Sequence, residues 1–107
     1  MAKLSYTNIF DAVTDDPGEA ADLEFRSDMM VLLRRLFEAR KWNQADVMSA
    51  LEISQPRVSE LVTGKINKIS SDKLITYLAK LGYVLKPTYR EGRKQPIRCD
   101  VAERDAA

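Results

Sequence analysis

A chain of 107 residues is long enough for one domain, and with no histidine it lacks the commonest general base and transition-metal ligand. The single cysteine, Cys99, excludes an internal disulfide and fits a reducing cytoplasm, and no run of about 18 apolar residues is present to span a membrane. The net charge of +1 hides an asymmetry: residues 1–28 hold two bases against seven acids (−5), and residues 29–107 hold fifteen against nine (+6). Such a division points to two surfaces with different partners, beside the plainer reading of two solvated faces.

In chain order, residues 1–16 lack the basic start and apolar stretch of a secretory signal. Their short cluster of Ile9, Phe10, Ala12 and Val13 predicts a turn or two of helix, or a loose arm. Asp16-Pro17 reads as a cap followed by a first helical residue. From Pro17 to Trp42 the composition is helix-forming, with Leu23, Met30, Leu33 and Phe37 on one stripe and Met29, Leu32 and Leu36 beside it. Ser27-Asp28 is a possible break, so this stretch predicts either one long helix or two abutting ones. The acids near its start (Asp15, Asp16, Glu19 and Asp22) suit the positive end of the helix dipole better than a metal site.

Residues 43–64, NQADVMSALEISQPRVSELVTG, predict two short helices joined by a tight corner. Asn43 caps the first over the amides of Ala45 or Asp46, with Trp42 and Val47 placed for a hydrophobic staple. Ser54 caps the second, with Ile53 against Val58 and Pro56 in the first turn, where a missing N–H costs little. Leu51-Glu52-Ile53 makes the corner. On the second helix Val58, Leu61 and Val62 recur at helical spacing as a buried stripe. Opposite them lie Gln55, Pro56, Arg57, Ser59 and Glu60, and Gln and Arg carry the forked donor sets that read adenine and guanine edges.

Beyond Gly64 comes a short basic connector, Lys65-Ile66-Asn67-Lys68-Ile69. Ser70 or Ser71 caps a further helix running to Leu81, with Leu74, Ile75, Leu78 and Leu81 facing inward and Gly82 as its stop. Tyr83 to Tyr89 then reads as an edge strand containing Pro87, expected to pair with its twin in a second chain or with a strand of another protein. The charged tail from Glu91 predicts disorder, or order imposed by a partner. The organisation expected is an acidic N-terminal arm or helix (1–27), a DNA-binding domain (28–82), an edge strand for dimerisation or partner pairing (83–90) and a tail (91–107).

No Ser/His/Asp or Cys/His set, phosphate-cradling glycine loop or metal-ligand spacing is visible, so the chain reads as a binding protein rather than an enzyme, with no cofactor. Trp42 is expected in the core as a staple, and the Met29-Met30 pair as core filler.

The run from Gln44 through Ile53-Ser54-Gln55-Pro56-Arg57-Val58-Ser59 resembles the helix-turn-helix of Cro/CI-like (XRE) repressors. It departs from their usual pattern at Met48, where the family has Ala, and at Glu52, where it has Gly. The resemblance implies a mainly α, five-helix lambda-repressor-like domain followed by a short C-terminal β-strand. It also implies a DNA-binding set: Gln44, Ser54, Gln55, Pro56, Arg57, Ser59, Glu60, Thr63, Lys65, Asn67 and Lys68. Gln44 would meet a phosphate, Gln55 would be the first base reader, and the Thr63–Lys68 connector would touch backbone. Counting the flanks (Asn8 to Asp11, Ile66 to Ser70, and Leu81-Gly82-Tyr83), the chain looks like the HigA-like antitoxins. That subgroup implies a cytoplasmic homodimer on an inverted-repeat operator, repressing its own promoter and masking a RelE/HigB-like toxin. A stand-alone phage-type or metabolic repressor without a toxin, and a protein-interaction adaptor, remain the alternatives.

Overall fold

A computed structural model describes Phe10 and residues 12–104. The expectations for the arm up to Ile9 and at Asp11 lie outside the described residues. The chain runs α1 (Pro17–Ala39), α2 (Gln44–Leu51), α3 (Gln55–Val62), α4 (Ser71–Lys80), β1 (Tyr83–Tyr89) and β2 (Ile97–Glu103). It is mainly helical with a C-terminal hairpin, and among the described residues there are four helices, not the five expected. The difference lies partly at Ser27-Asp28, where α1 continues unbroken through the expected division between arm and DNA-binding domain. Its apolar stripe keeps phase across that point, from half-buried Phe25 to buried Met29, Met30, Leu33 and Phe37. A helix whose packed face is continuous gains nothing by stopping there.

The helix ends show why these segments form. Asp16 caps α1 by accepting from the Gly18 amide at 3.0 Å, with Pro17 in the first turn. At the other end, the Trp42 amide donates to the Phe37 carbonyl and the Lys41 amide to Glu38, both at 3.0 Å, with Lys41 in the left-handed region (φ 57). That is the Schellman arrangement, in which a left-handed residue lets two amides reach back for orphan carbonyls. It recurs after α3, where Gly64 (φ 73) lets Lys65 donate to Glu60 and Gly64 to Leu61.

Helix α1 packs on α3 and α4, α2 on both of those, and α4 on β1. The core where they meet holds Leu33, Leu51, Val58, Ile69, Leu74 and Leu78, each with no exposed surface. On α4, Ile75 departs from the expected inward stripe: it is 43% exposed, and Tyr77 is buried in its place. The helix turns Leu74, Tyr77, Leu78 and Leu81 inward at 3–4-residue spacing, which puts Ile75 on the flank.

Long-range cations complete the packing. Arg34 donates to the Val62 carbonyl at 3.1 Å, Lys80 to Leu51 at 2.9 Å and Arg40 to Leu81 at 3.3 Å. Each closes a C-terminal carbonyl of α3, α2 or α4 that the helix itself leaves unpaired.

The strand expected to seek another chain finds its partner within this one. β1 pairs antiparallel with β2 in the register Tyr83↔Glu103, Leu85↔Val101, Pro87↔Cys99 and Tyr89↔Ile97. The stretch expected to be a disordered tail therefore supplies a strand. Its Ile97, Cys99 and Val101 alternate with polar residues, and Gly92 (φ 83) lets the connection turn back, closed by Arg90 N–H to the Pro96 carbonyl at 2.7 Å.

Candidate nucleic-acid interface

The two short helices meet as a helix-turn-helix, and local contacts set their geometry. Asn43 accepts from the Asp46 amide, and Asp46 accepts from the Asn43 amide, both at 2.9 Å. This reciprocal box closes two orphan donors at the start of α2. Ser54 Oγ accepts from the Arg57 amide at 3.4 Å at the start of α3.

Between them Glu52 adopts φ 58, ψ 48, and the Ile53 amide reaches the Met48 carbonyl at 3.2 Å. The corner thus closes in left-handed geometry with a glutamate where glycine is the easy choice. Lys80 helps hold it: its Nζ bonds the Leu51 carbonyl and lies 4.0 Å from the Glu52 carboxylate. Met48 is half-buried against the core, so the helices accommodate it.

Val58 and Leu61 anchor α3 inward, and Val62 is half-buried beside them. Gln55 and Pro56 are exposed, while Arg57, Ser59 and Glu60 are half-buried. Of the residues singled out from the sequence, the fold brings Gln44 and Gln55 together, Gln55 Nε2 donating to Gln44 Oε1 at 3.1 Å. The first residue of α2 and the first of α3 therefore form one exposed amide pair.

Arg57 is held from two sides. Its Nη1 donates to the Lys68 carbonyl at 2.8 Å and to Glu60 Oε1 at 3.1 Å. The guanidinium ties α3 to the connector, and Glu60, one turn on, neutralises it. Burial pushes the Tyr77 hydroxyl up from its ordinary pKa; the nearby Arg57 charge opposes this and Glu60 adds to it.

Thr63 Oγ1 folds back on the Ser59 carbonyl at 2.6 Å. Ser54 serves as the cap, whereas Lys65, Asn67 and Lys68 are exposed on the connector. The arrangement presents an amide pair, a braced guanidinium and two lysines on adjoining elements. That combination can accept and donate to base edges and meet phosphates.

Sequence reasoning missed two features. The bond from Arg57 to the Lys68 carbonyl spans eleven residues and leaves no local signature, although the Arg57–Glu60 spacing is a legible i,i+3 pair. The basic residues around the hairpin turn are Arg90, at the end of the expected edge strand, and Arg93, Lys94 and Arg98, in the expected tail; the signal for a hairpin is Gly92 between two alternating runs.

Among the described residues no helix is long and apolar enough to cross a membrane. Comparison with protein families matches residues 12–86, more than half of the chain, to a family described as a helix-turn-helix domain. Neither the curated proteins nor the solved structures give a match.

Proposed function

Because the chain belongs to this helix-turn-helix domain family, we propose that it is a sequence-specific DNA-binding transcriptional repressor acting as a homodimer. The observation that carries this reading is the Gln44–Gln55 pair, exposed at the adjoining starts of α2 and α3. In the proposed complex α3 enters the major groove. Gln55 reads a base with its amide oriented by Gln44, and Gln44 also meets a phosphate beside the amides at the start of α2. Arg57, two residues on, has Nη1 already engaged, and reaches a guanine or a phosphate through the rest of its fork. Ser54, Pro56, Ser59 and Glu60 line the same helix. Thr63, Lys65, Asn67 and Lys68 follow the backbone, adding affinity without sequence information.

An eight-residue reading helix covers a single half-site, so two copies acting on half-sites about 34 Å apart, or a multiple of that, account for specific binding. The hairpin supports a second copy as the dimer partner. Its registered pairs Leu85↔Val101, Pro87↔Cys99 and Tyr89↔Ile97 share one apolar face, with Tyr89 63%, Ile97 74% and Val101 43% exposed.

The finer reading, an antitoxin that represses its own operon and masks a RelE/HigB-like toxin in the cytoplasm, rests on the HigA-like resemblance of the flanking segments. Selection of duplexes from a random pool tests the DNA reading: an enriched inverted repeat supports it, and no enrichment overturns it. Affinity capture of the tagged chain from its own operon tests the toxin. A stoichiometric partner that is toxic when expressed alone establishes the antitoxin, and a clean homodimer leaves a stand-alone repressor.

A further inference from the structure

The geometry points to a second DNA contact, separate from the helix-turn-helix: we propose that the polar face and turn of the β1–β2 hairpin clamp the phosphate backbone beside the site that α3 reads. The proposal rests on the DNA-binding reading above and adds to it a surface outside α2, α3 and their connector.

Strand alternation makes the hairpin two-sided. The pairs containing Leu85, Pro87 and Tyr89 form the apolar face, whereas Lys86↔Asp100 and Thr88↔Arg98 lie on the other. That second face continues into the turn as an open hollow of about 550 Å³ lined by Thr88, Arg90, Arg93, Lys94, Arg98 and Asp100. Four of these carry positive charge against one carboxylate, and Arg98 Nη2 lies 3.3 Å from that carboxylate. The hollow therefore keeps three cations beyond the one paired with Asp100. Elsewhere Arg26, Arg34, Arg40, Arg57 and Lys80 are spent on carbonyls of their own chain. The turn cations are exposed and line an open concavity. A curved surface of arginine and lysine with few acids suits a polyanion, and convergent guanidinium forks suit phosphate oxygens.

The position fits a flanking contact. The root of the hairpin lies near the approach to α2: the Arg40 guanidinium lies 5.9 Å from the Tyr83 ring and 5.1 Å from that of Trp42, two residues before Gln44. A seven-residue strand reaches about 23 Å, less than the roughly 34 Å of one duplex turn. Its tip therefore lies within one duplex turn of its root, a reach that suits phosphates flanking the half-site.

The test is a salt titration of DNA binding by the full chain, using a pool-selected duplex of about three helical turns. Because roughly 0.9 of log–log slope accompanies each phosphate contact, Arg93→Ala/Lys94→Ala should lower the slope by about 2 and weaken binding about tenfold or more, with base preference unchanged. The swap Arg93→Lys/Lys94→Arg keeps both charges and should restore the slope, which separates lost charge from a disturbed turn. An unchanged slope in the alanine variant, with the wild-type chain binding normally, overturns the hairpin contact and leaves the helix-turn-helix reading intact. Failure of the wild-type chain to bind any duplex overturns the reading on which the proposal rests.

Discussion

Gln44 and Gln55 are eleven residues apart in sequence and joined by a 3.1 Å side-chain hydrogen bond across the helix-turn-helix corner. In the proposed complex the bond orients the Gln55 amide before a base arrives, and an amide already oriented loses less side-chain freedom on binding. The two residues should therefore act as a unit. Gln44→Ala and Gln55→Ala should each weaken binding to a selected duplex by about 1–3 kcal/mol. The double variant should lose less than the sum, with a coupling of roughly 0.5 kcal/mol or more in a double-mutant cycle. Strictly additive losses would show that the pair does not work together on DNA.

The corner stores backbone strain that a single change can release. Glu52 sits at φ 58, where a side chain costs about 1–2 kcal/mol. Glu52→Gly should raise stability by roughly 0.5–1 kcal/mol after the extra freedom of glycine in the unfolded chain is counted. The partner charge lost to Lys80 is exposed and contributes little. Gly64→Ala should do the reverse, costing about 1 kcal/mol: a Cβ there meets nothing within 4 Å, so strain at φ 73 alone carries the penalty. Urea denaturation of the two variants checks both signs.

Acid should loosen the junction between α1 and α4. The Ser71 hydroxyl donates to Asp22, and this bond, with help from Arg26 at 2.7 Å, holds the Asp22 carboxyl below its ordinary value against a smaller opposing effect of burial. The Ser70 hydroxyl lowers Asp72 in the same way. A depressed folded-state pKa means stability that is fully present above the ordinary value near 3.8 and lost as pH falls through the lowered one. Wild-type stability should therefore drop on acidification below about pH 4. Asp22→Asn should be less stable at neutral pH and show a shallower acid decline; an identical decline would remove Asp22 from the account.

The apolar hairpin face is the proposed dimer interface. Tyr89→Ser/Ile97→Ser removes its two most exposed apolar side chains without touching the bundle core. Sedimentation should find the wild-type chain dimeric and the variant monomeric, with operator affinity falling at least tenfold. A variant that stays dimeric places the interface elsewhere.

Most of the bundle was legible because its signals are local. Asp16, Asn43 and Ser54 each cap an amide two or three residues away, and Gly64 and Gly82 mark stops within one turn, so a short window of sequence contains both partners. The candidate reading helix emerged for the same reason. Val58, Leu61 and Val62 recur at helical spacing as one stripe, which leaves Gln55, Pro56, Arg57, Ser59 and Glu60 as the remaining face. Ile75 was misplaced because adjacent positions near the edge of a stripe differ only in what packs beside them.

The sequence alone determined the N-terminal caps of α1, α2 and α3, the buried stripe of α3 and the place of the helix-turn-helix corner. Tertiary structure alone decided that Arg34, Arg40 and Lys80 close the ends of other helices, across 28, 41 and 29 residues. It alone decided that Arg57 braces the connector and in which register β2 pairs with β1. Caps and stripes depend on neighbours that the chain holds together whatever its fold. A cation's choice of carbonyl depends on which distant surface packing brings within about 3 Å.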